Sequence, residues 1–509
     1  MNVQSTPQAG ENAPLPQAQL AYYSSPTQDS SLEAKFLNID DVKNYRECVE
    51  KLGIAETRNF VTDVWSDSAW CAVDLGANEI KSLLNSQRPS RLHNGQWIET
   101  RWINFWGGEL QPDAVAAVAA YYGLTPRLKG LMCAAAMPSG PPTDDGVPKP
   151  SQRDRGSSES STEKTQDEEA RVATASERSV AANQNLKDMD LSEIKWGHIV
   201  NEIWHWHSVD WGQRYLCLGY NSIFTIKDVK FDNGLNKPEG KRVWTWLVLC
   251  DDGTVISVYE NPFPQMVPDM KVLRTVRRNI LNVFHHLSSI CNTAGLPSTL
   301  MTIQIRDFQA STQSVDAAPP LEAASKLLYY LFDDWITTYG LVAKKEHPYG
   351  SELERLRNGM LEVARVDLVD NLHKIGRRLA VLKRVYQSYD QMITRILQRQ
   401  RLLRDETRKG AKGQPEPRPA LFPTDQEHDE NRPNLYHTST MLLQTSEDMS
   451  LGVLLSSSAI VRFERLLDRI KLYAISEIEE CLTEKESLVF MVCPALIYHP
   501  LVSLTLLEL

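Results

Sequence analysis

The chain has 509 residues, a net charge of -10 and a pI near 5.7. Apolar residues make up 42% and tryptophans number 12, which is ample for the cores of two or three domains at about 150 residues each. The acidic balance argues against a general nucleic-acid binder. Eight scattered cysteines, none in a CxxC pair, argue against a disulfide framework or a cysteine-rich zinc module. No basic region followed by an apolar run opens the chain, so an intracellular, reducing location is expected.

Composition divides the chain. Residues 1–32 are rich in Gln, Pro and Ser and read as a disordered tail; residues 33–137 read as the first part of an α/β domain. Residues 138–189 hold almost no large apolar side chain and read as a disordered insertion, and residues 190–345 as the second part of the domain. Residues 346–404 read as a long helical arm, 405–449 as a second disordered loop, 450–491 as a stalk-like helix and 492–509 as an apolar tail.

Within the first folded part, Glu99–Trp106 is β-prone and aromatic. Pro112 then suits a first helical turn, Val115, Val118, Ala119 and Tyr122 share one helical face, and Gly123 suits the C-terminal cap. In Trp204–Asn221 (WHWHSVDWGQRYLCLGYN) a strand would put Trp204 and Trp206 on one face, and His205 and His207 on the other with Ile203 and Val209. Two histidines at i, i+2 can ligate zinc, but no third ligand is evident, so a hairpin is expected and no metal at His205 and His207. Trp244 and Trp246 repeat the spacing and suggest a shared tryptophan-rich layer. Two β-rich runs around Asp251-Asp252-Gly253 signal a hairpin. Leu273, Val276, Ile280, Phe284 and Leu287 mark one amphipathic helix, and Leu327, Leu328, Leu331 and Trp335 another.

Phosphate-loop, dinucleotide, zinc-protease, nucleophile-elbow and EF-hand patterns are absent. Adjacent Asp333 and Asp334 point apart on a helix and read as a solvated face; His285 and His286 read as one partly buried and one exposed. No enzyme is indicated, and no catalytic, cofactor-binding or metal-binding residue is assigned.

The strongest pattern is helical. Leu368, Leu372, Ile375, Leu379, Leu382, Tyr386, Tyr389, Ile393 and Ile396 form a heptad seam, with Gly376 the weak helix former beside it. A second stripe runs through Phe463, Leu467, Ile470, Ala474, Ile478, Cys481, Lys485 and Leu488. Helices of about 40 residues, on the order of 60 Å, are expected to project from the body and to pack on one another as an antiparallel hairpin, or on other subunits. The fold class is therefore α/β, a mixed sheet with flanking helices, followed by long stalk-like α-helices.

The stretch Arg101–Met132 (RWINFWGGELQPDAVAAVAAYYGLTPRLKGLM) resembles the N-terminal signature of the CorA-like divalent-cation transporter family. That signature is a strand with Trp-Ile-Asn/Asp, a loop, a helix, then Phe/Tyr-Gly-Leu-x-Pro and a short helix. Trp102-Ile103-Asn104 and Tyr122-Gly123-Leu124-Thr125-Pro126 match it, whereas Lys129-Gly130 stands where the family has Glu-Asp. The long helices resemble those of fungal members, and the resemblance covers most of residues 55–491. It implies a cytoplasmic α/β domain, a stalk entering a first membrane span, a Gly-Met-Asn motif, a second span and a homopentamer. It also implies Mg²⁺ as the transported or regulatory ion, and a place at the cytoplasmic face of a membrane.

No Gly-Met-Asn follows the second stripe, and the apolar end after Met491 is interrupted by Pro494, His499 and Pro500. That tail reads as the product of a shortened coding sequence in place of the membrane region, or as a single poor span. The first functional expectation is thus the cytoplasmic portion of a CorA-like Mg²⁺ transporter, transport-incompetent as this chain and homo-oligomeric through its long helices. It meets a membrane only through the tail or a missing downstream region. The acidic cluster Glu477, Glu479, Glu480, Glu484 and Glu486 either concentrates cations near the membrane entry or is a solvated face. The alternative function is a soluble α/β plus helical-hairpin interaction or assembly protein. A zinc hydrolase on His205 and His207 is a distant third.

Overall fold

The computed structural model describes residues 17–24, 31–89, 97–134, 203–226, 237–263, 268–290, 303, 305–306, 321–334, 341–344, 346–362, 365–411 and 452–505. The tail, insertion and loop expected to be disordered lie mostly outside these residues. So does Trp335.

Eight strands form one sheet in the order β1-β3-β2-β4-β8-β7-β6-β5. They are β1 (Leu37–Asn38), β2 (Asn59–Trp65), β3 (Ala69–Val73), β4 (Ile98–Trp106), β5 (His207–Trp211), β6 (Tyr215–Phe224), β7 (Lys241–Cys250) and β8 (Thr254–Tyr259). Every neighbouring pair is antiparallel except β4 and β8, which run parallel with Ile103 opposite Ile256. The sheet is thus two antiparallel halves joined by one parallel seam.

The central strands are buried on both faces, the pattern of a sheet covered twice. Phe60, Trp102, Leu218, Leu247 and Val255 point to one side. There they meet α3 (Val42–Leu52), α7 (Met270–Leu287), α8 (Glu322–Phe332) and the long helices. Val61, Ile103, Phe105, Trp246 and Ile256 point to the other, against α4 (Ala77–Asn85), α5 (Pro112–Tyr122) and α6 (Pro126–Met132). Two short helices, α1 (Gln17–Tyr23) and α2 (Ser31–Lys35), complete that layer. The result is a three-layer α/β/α unit, consistent with the expected mixed sheet with flanking helices.

Local predictions fare well where one element carries its own signal. Helix α5 starts at Pro112, buries Val115, Val118, Ala119 and Tyr122, and ends on Gly123 at φ 70°. The β7–β8 turn uses Gly253 at φ 81°. Helix α7 buries the five residues of its predicted stripe.

The Trp204–His207 reading needs correction. Strand β5 begins only at His207, because Trp204 and His205 lie in a turn that Trp206 closes by donating its N–H to the Ile203 carbonyl at 3.1 Å. The alternation is broken there, so the tryptophans part. Trp204 joins the apolar cluster of the long-helix side, while the Trp206 ring sits edge-on to Trp246 at 5.3 Å across the sheet's other face.

One ion pair is buried in the sheet itself. Asp63 and Arg101 are directly opposite on β2 and β4, and neither is exposed. Arg101 donates from Nε at 2.6 Å and Nη2 at 2.7 Å, a bidentate fork. Its Nη1 reaches the Leu83 carbonyl, Nη2 also reaches the Tyr22 hydroxyl, and the Tyr23 hydroxyl donates to Asp63. Helices α1 and α4 are thereby tied to the sheet.

The predicted arm from 346 is two helices, α9 (Pro348–Glu362) and the 46-residue α10 (Val366–Ala411). The last stripe occupies α11 (Ser457–Arg469), a π-helical stretch Ile470–Ile475, and α12 (Ser476–Thr505). All seam residues are buried except Tyr389, which is half-buried. Partners across the pair fall as the other numbers rise: Lys383 with Glu479 (3.0 Å), Asp390 with Lys471 (3.3 Å), Arg401 with Glu464 (3.8 Å). The helices are therefore antiparallel, as expected. They do not simply project, however. Val385, Met392 and Leu397 are also buried, so the apolar face of α10 is wide enough to meet both its partner helix and the sheet. Tyr389 donates its hydroxyl to the Asn221 carbonyl on β6.

Two tests follow from this packing. Arg101→Met should lower unfolding stability by on the order of 3–5 kcal/mol in urea titration, since Asp63 is left buried and charged, and adding Asp63→Leu should recover part of the loss. In the seam, Leu379→Asp should cost a similar amount. Gly376→Ala should instead be neutral or stabilising by up to about 1 kcal/mol, because the new methyl meets only the flexible Lys485 side chain, 2.9 Å away.

Candidate functional site

Three places gather polar groups. The first is the outer face of the helical pair. Of the five acidic residues there, Glu479 pairs with Lys383, Glu484 with Arg357 of α9, and Glu477 with His347; Glu480 and Glu486 are exposed. Three carboxylates thus bind groups on neighbouring elements, while two keep the solvated face expected of the cluster.

His347 stands just before α9. Its Nδ1 lies 3.2 Å from the Gly350 N–H, which can only donate, so the ring accepts there and carries its proton on Nε2. That Nε2 is 3.1 Å from Glu477 Oε1. Cys481, one turn after Glu477, completes a group whose ligand atoms all lie within 4.8 Å of one another. Among the described residues it is the one such group of three or more His, Cys, Asp and Glu, and it does not include His205 or His207. Sequence reasoning missed it. Cys481 stood in the stripe and Glu477 in the acidic cluster, but nothing local places His347, 130 residues before Glu477, against them.

The second place is a cleft of about 230 Å³ at the carboxyl ends of β4 and β8, the parallel pair. Such ends are where open α/β sheets hold ligands. Trp106, Leu110, Phe263, Leu273 and Val276 supply apolar walls; Arg277 and Glu260 supply charge. The Arg277 guanidinium stacks 3.8 Å from the centre of the Trp106 ring. It donates to the carbonyls of Leu52 (2.9 Å), Ile54 (2.6 Å) and Thr57 (3.2 Å), so it closes the C-terminal end of α3. Burial pulls its pKa down to about 10 against the upward pull of Asp74 and Glu56. Glu260 accepts the Trp244 N–H at 2.9 Å, and burial pushes its carboxyl above the ordinary range despite Arg242. The lining holds no histidine, cysteine or serine.

The third is Asp333, read from sequence as solvated. Helix α8 ends at Phe332, and Asp333 turns inward, 5% exposed. Its Oδ2 accepts from the Tyr329 hydroxyl at 2.6 Å and from Arg469 of α11 at 2.5 Å, while Asp334 stays half-buried. The reading failed because Arg469 comes from 136 residues downstream. His285 and His286 are both half-buried, and His285 Nδ1 meets the Tyr45 hydroxyl at 2.6 Å.

Comparison with protein-family models finds no match, and comparison with curated proteins finds none. The CorA-like resemblance rests on its sequence motifs and on the order of elements. Among the described residues, no helix is long and apolar enough to cross a membrane.

Glu260 gives a pH test. A carboxyl whose folded pKa lies above its unfolded value holds its proton more tightly when folded, so its contribution to stability is present at low pH. That contribution is lost as pH rises from about 4.3 through the folded value. Glu260→Gln should therefore raise the melting temperature at pH 7, with the gain shrinking to nothing near about pH 4.

Proposed function

We propose that the chain is the cytoplasmic portion of a CorA-like divalent metal ion transporter, with Mg²⁺ as the expected cargo, and that by itself it does not transport. The observation that carries this reading is the order of elements. A three-layer α/β body holding Trp102-Ile103-Asn104 on a central strand is followed by an antiparallel pair of long helices. The last of them continues beyond its packed stripe to Phe490 and Met491, which are 77% and 53% exposed. In this reading that helix acts as the stalk, and the long helices join copies of the chain into a homo-oligomer at the cytoplasmic face of a membrane.

A second reading, an interaction or assembly protein without transport, is favoured by one specific feature. Two of the five acidic residues, Glu479 and Glu484, form ion pairs with neighbouring helices, and Glu477 accepts a hydrogen bond from His347.

One measurement separates them, and a second tests what both share. Light scattering on the full chain in mild detergent with Mg²⁺ should give a five-copy assembly; a stable monomer at tens of micromolar would leave the second reading. Expression in yeast deficient in Mg²⁺ uptake should not restore growth at low Mg²⁺. Growth like that given by an intact transporter would overturn the statement that the chain alone is inactive.

A further inference from the structure

We infer that His347, Glu477 and Cys481 form a binding site for a divalent transition metal of the zinc type. This inference is independent of the transport reading. The three groups offer one nitrogen, one oxygen and one sulfur, from two elements far apart in sequence, and their ligand atoms converge within 4.8 Å. His347 and Cys481 are buried, whereas the Glu477 side chain is 38% exposed. The set therefore has a closed, preformed side and one open side, the arrangement of a three-ligand site that keeps a position for water.

Donor chemistry selects the metal. Mg²⁺ demands octahedral oxygen ligands and keeps its waters, so a thiol and an imidazole suit it poorly. A mixed N, O, S set suits zinc or cobalt.

The local fold supplies the geometry. Glu477 and Cys481 are four apart on one face of α12, directly after the π-helical stretch Ile470–Ile475. Widened turns of this kind recur at functional sites. Loading has a structural cost as well. With Nε2 on the metal, the neutral ring carries its proton on Nδ1, which then faces the Gly350 N–H it now accepts from. The metal thus displaces two bonds, Nε2–H to Glu477 and Gly350 N–H to Nδ1, releases the Cys481 proton to solvent, and loosens the first turn of α9.

Titration of the full-length chain with Co²⁺ and then Zn²⁺ tests this. One Co²⁺ per chain should bind with a thiolate charge-transfer band, be displaced by Zn²⁺, and resist a hundredfold excess of Mg²⁺. Cys481→Ala should abolish the band. The milder Glu477→Gln, on a half-exposed side chain, should weaken binding at least tenfold with the melting temperature nearly kept. Hydrogen exchange at Gly350 should speed up on loading. A band that survives Cys481→Ala, loss of Co²⁺ to equimolar Mg²⁺, binding unchanged in Glu477→Gln, or no Co²⁺ bound at all would each overturn the site.

Discussion

The whole structure depends on the parallel contact between β4 and β8. Without it the chain holds two separate antiparallel sheets, each with one long open edge. The seam is held by more than its ladder. Trp102 donates to the Ser257 hydroxyl at 2.9 Å, and that hydroxyl donates to Asn104 at 2.7 Å. Tyr122 reaches Thr254 at 2.6 Å, and Thr100 donates to the Gly253 carbonyl at 2.8 Å. These hydrogen bonds are buried, so they fix one register where apolar contacts alone would accept several. Because β4 is also the strand that carries Arg101, the ion pair to Asp63 and the seam to β8 stabilise opposite edges of the same strand.

Much of the architecture was legible from local patterns. The face of α5, the β7–β8 turn and the α10 seam each carry a period and a terminator within a dozen residues or a regular repeat, and each is found where the sequence puts it. What was not legible depends on partners distant in the chain. Asp333 looks solvated until Arg469 arrives, and His347 looks ordinary until α12 lies beside it. Arg101 reads as one polar residue in an aromatic strand; its meaning comes from Asp63 across the ladder. The parting of Trp204 and Trp206 has a different cause: period-2 reasoning assumed an extended backbone, and a turn stood there.

The helical pair shows how one surface serves two packing demands. A strict heptad stripe would seal two helices and leave the pair free of the body. The added burial of Val385, Met392 and Leu397 broadens that stripe, so α10 becomes the layer between α11–α12 and the sheet. The charged residues flanking the stripe are then committed to fixing the axial alignment: Lys383, Asp390 and Arg401 each find an opposite charge on the partner helix.

The seam between β4 and β8 also sets a schedule during synthesis. About 150 residues separate Trp106 from Thr254. At ribosomal rates of about 5–20 residues per second, β4 waits for its partner on the order of 10–30 s. Throughout that interval an aromatic strand presents an unpaired edge, which is the kind of surface that recruits other nascent chains or chaperones. Silent changes that slow translation between these strands would lengthen the wait without altering a single contact in the finished protein.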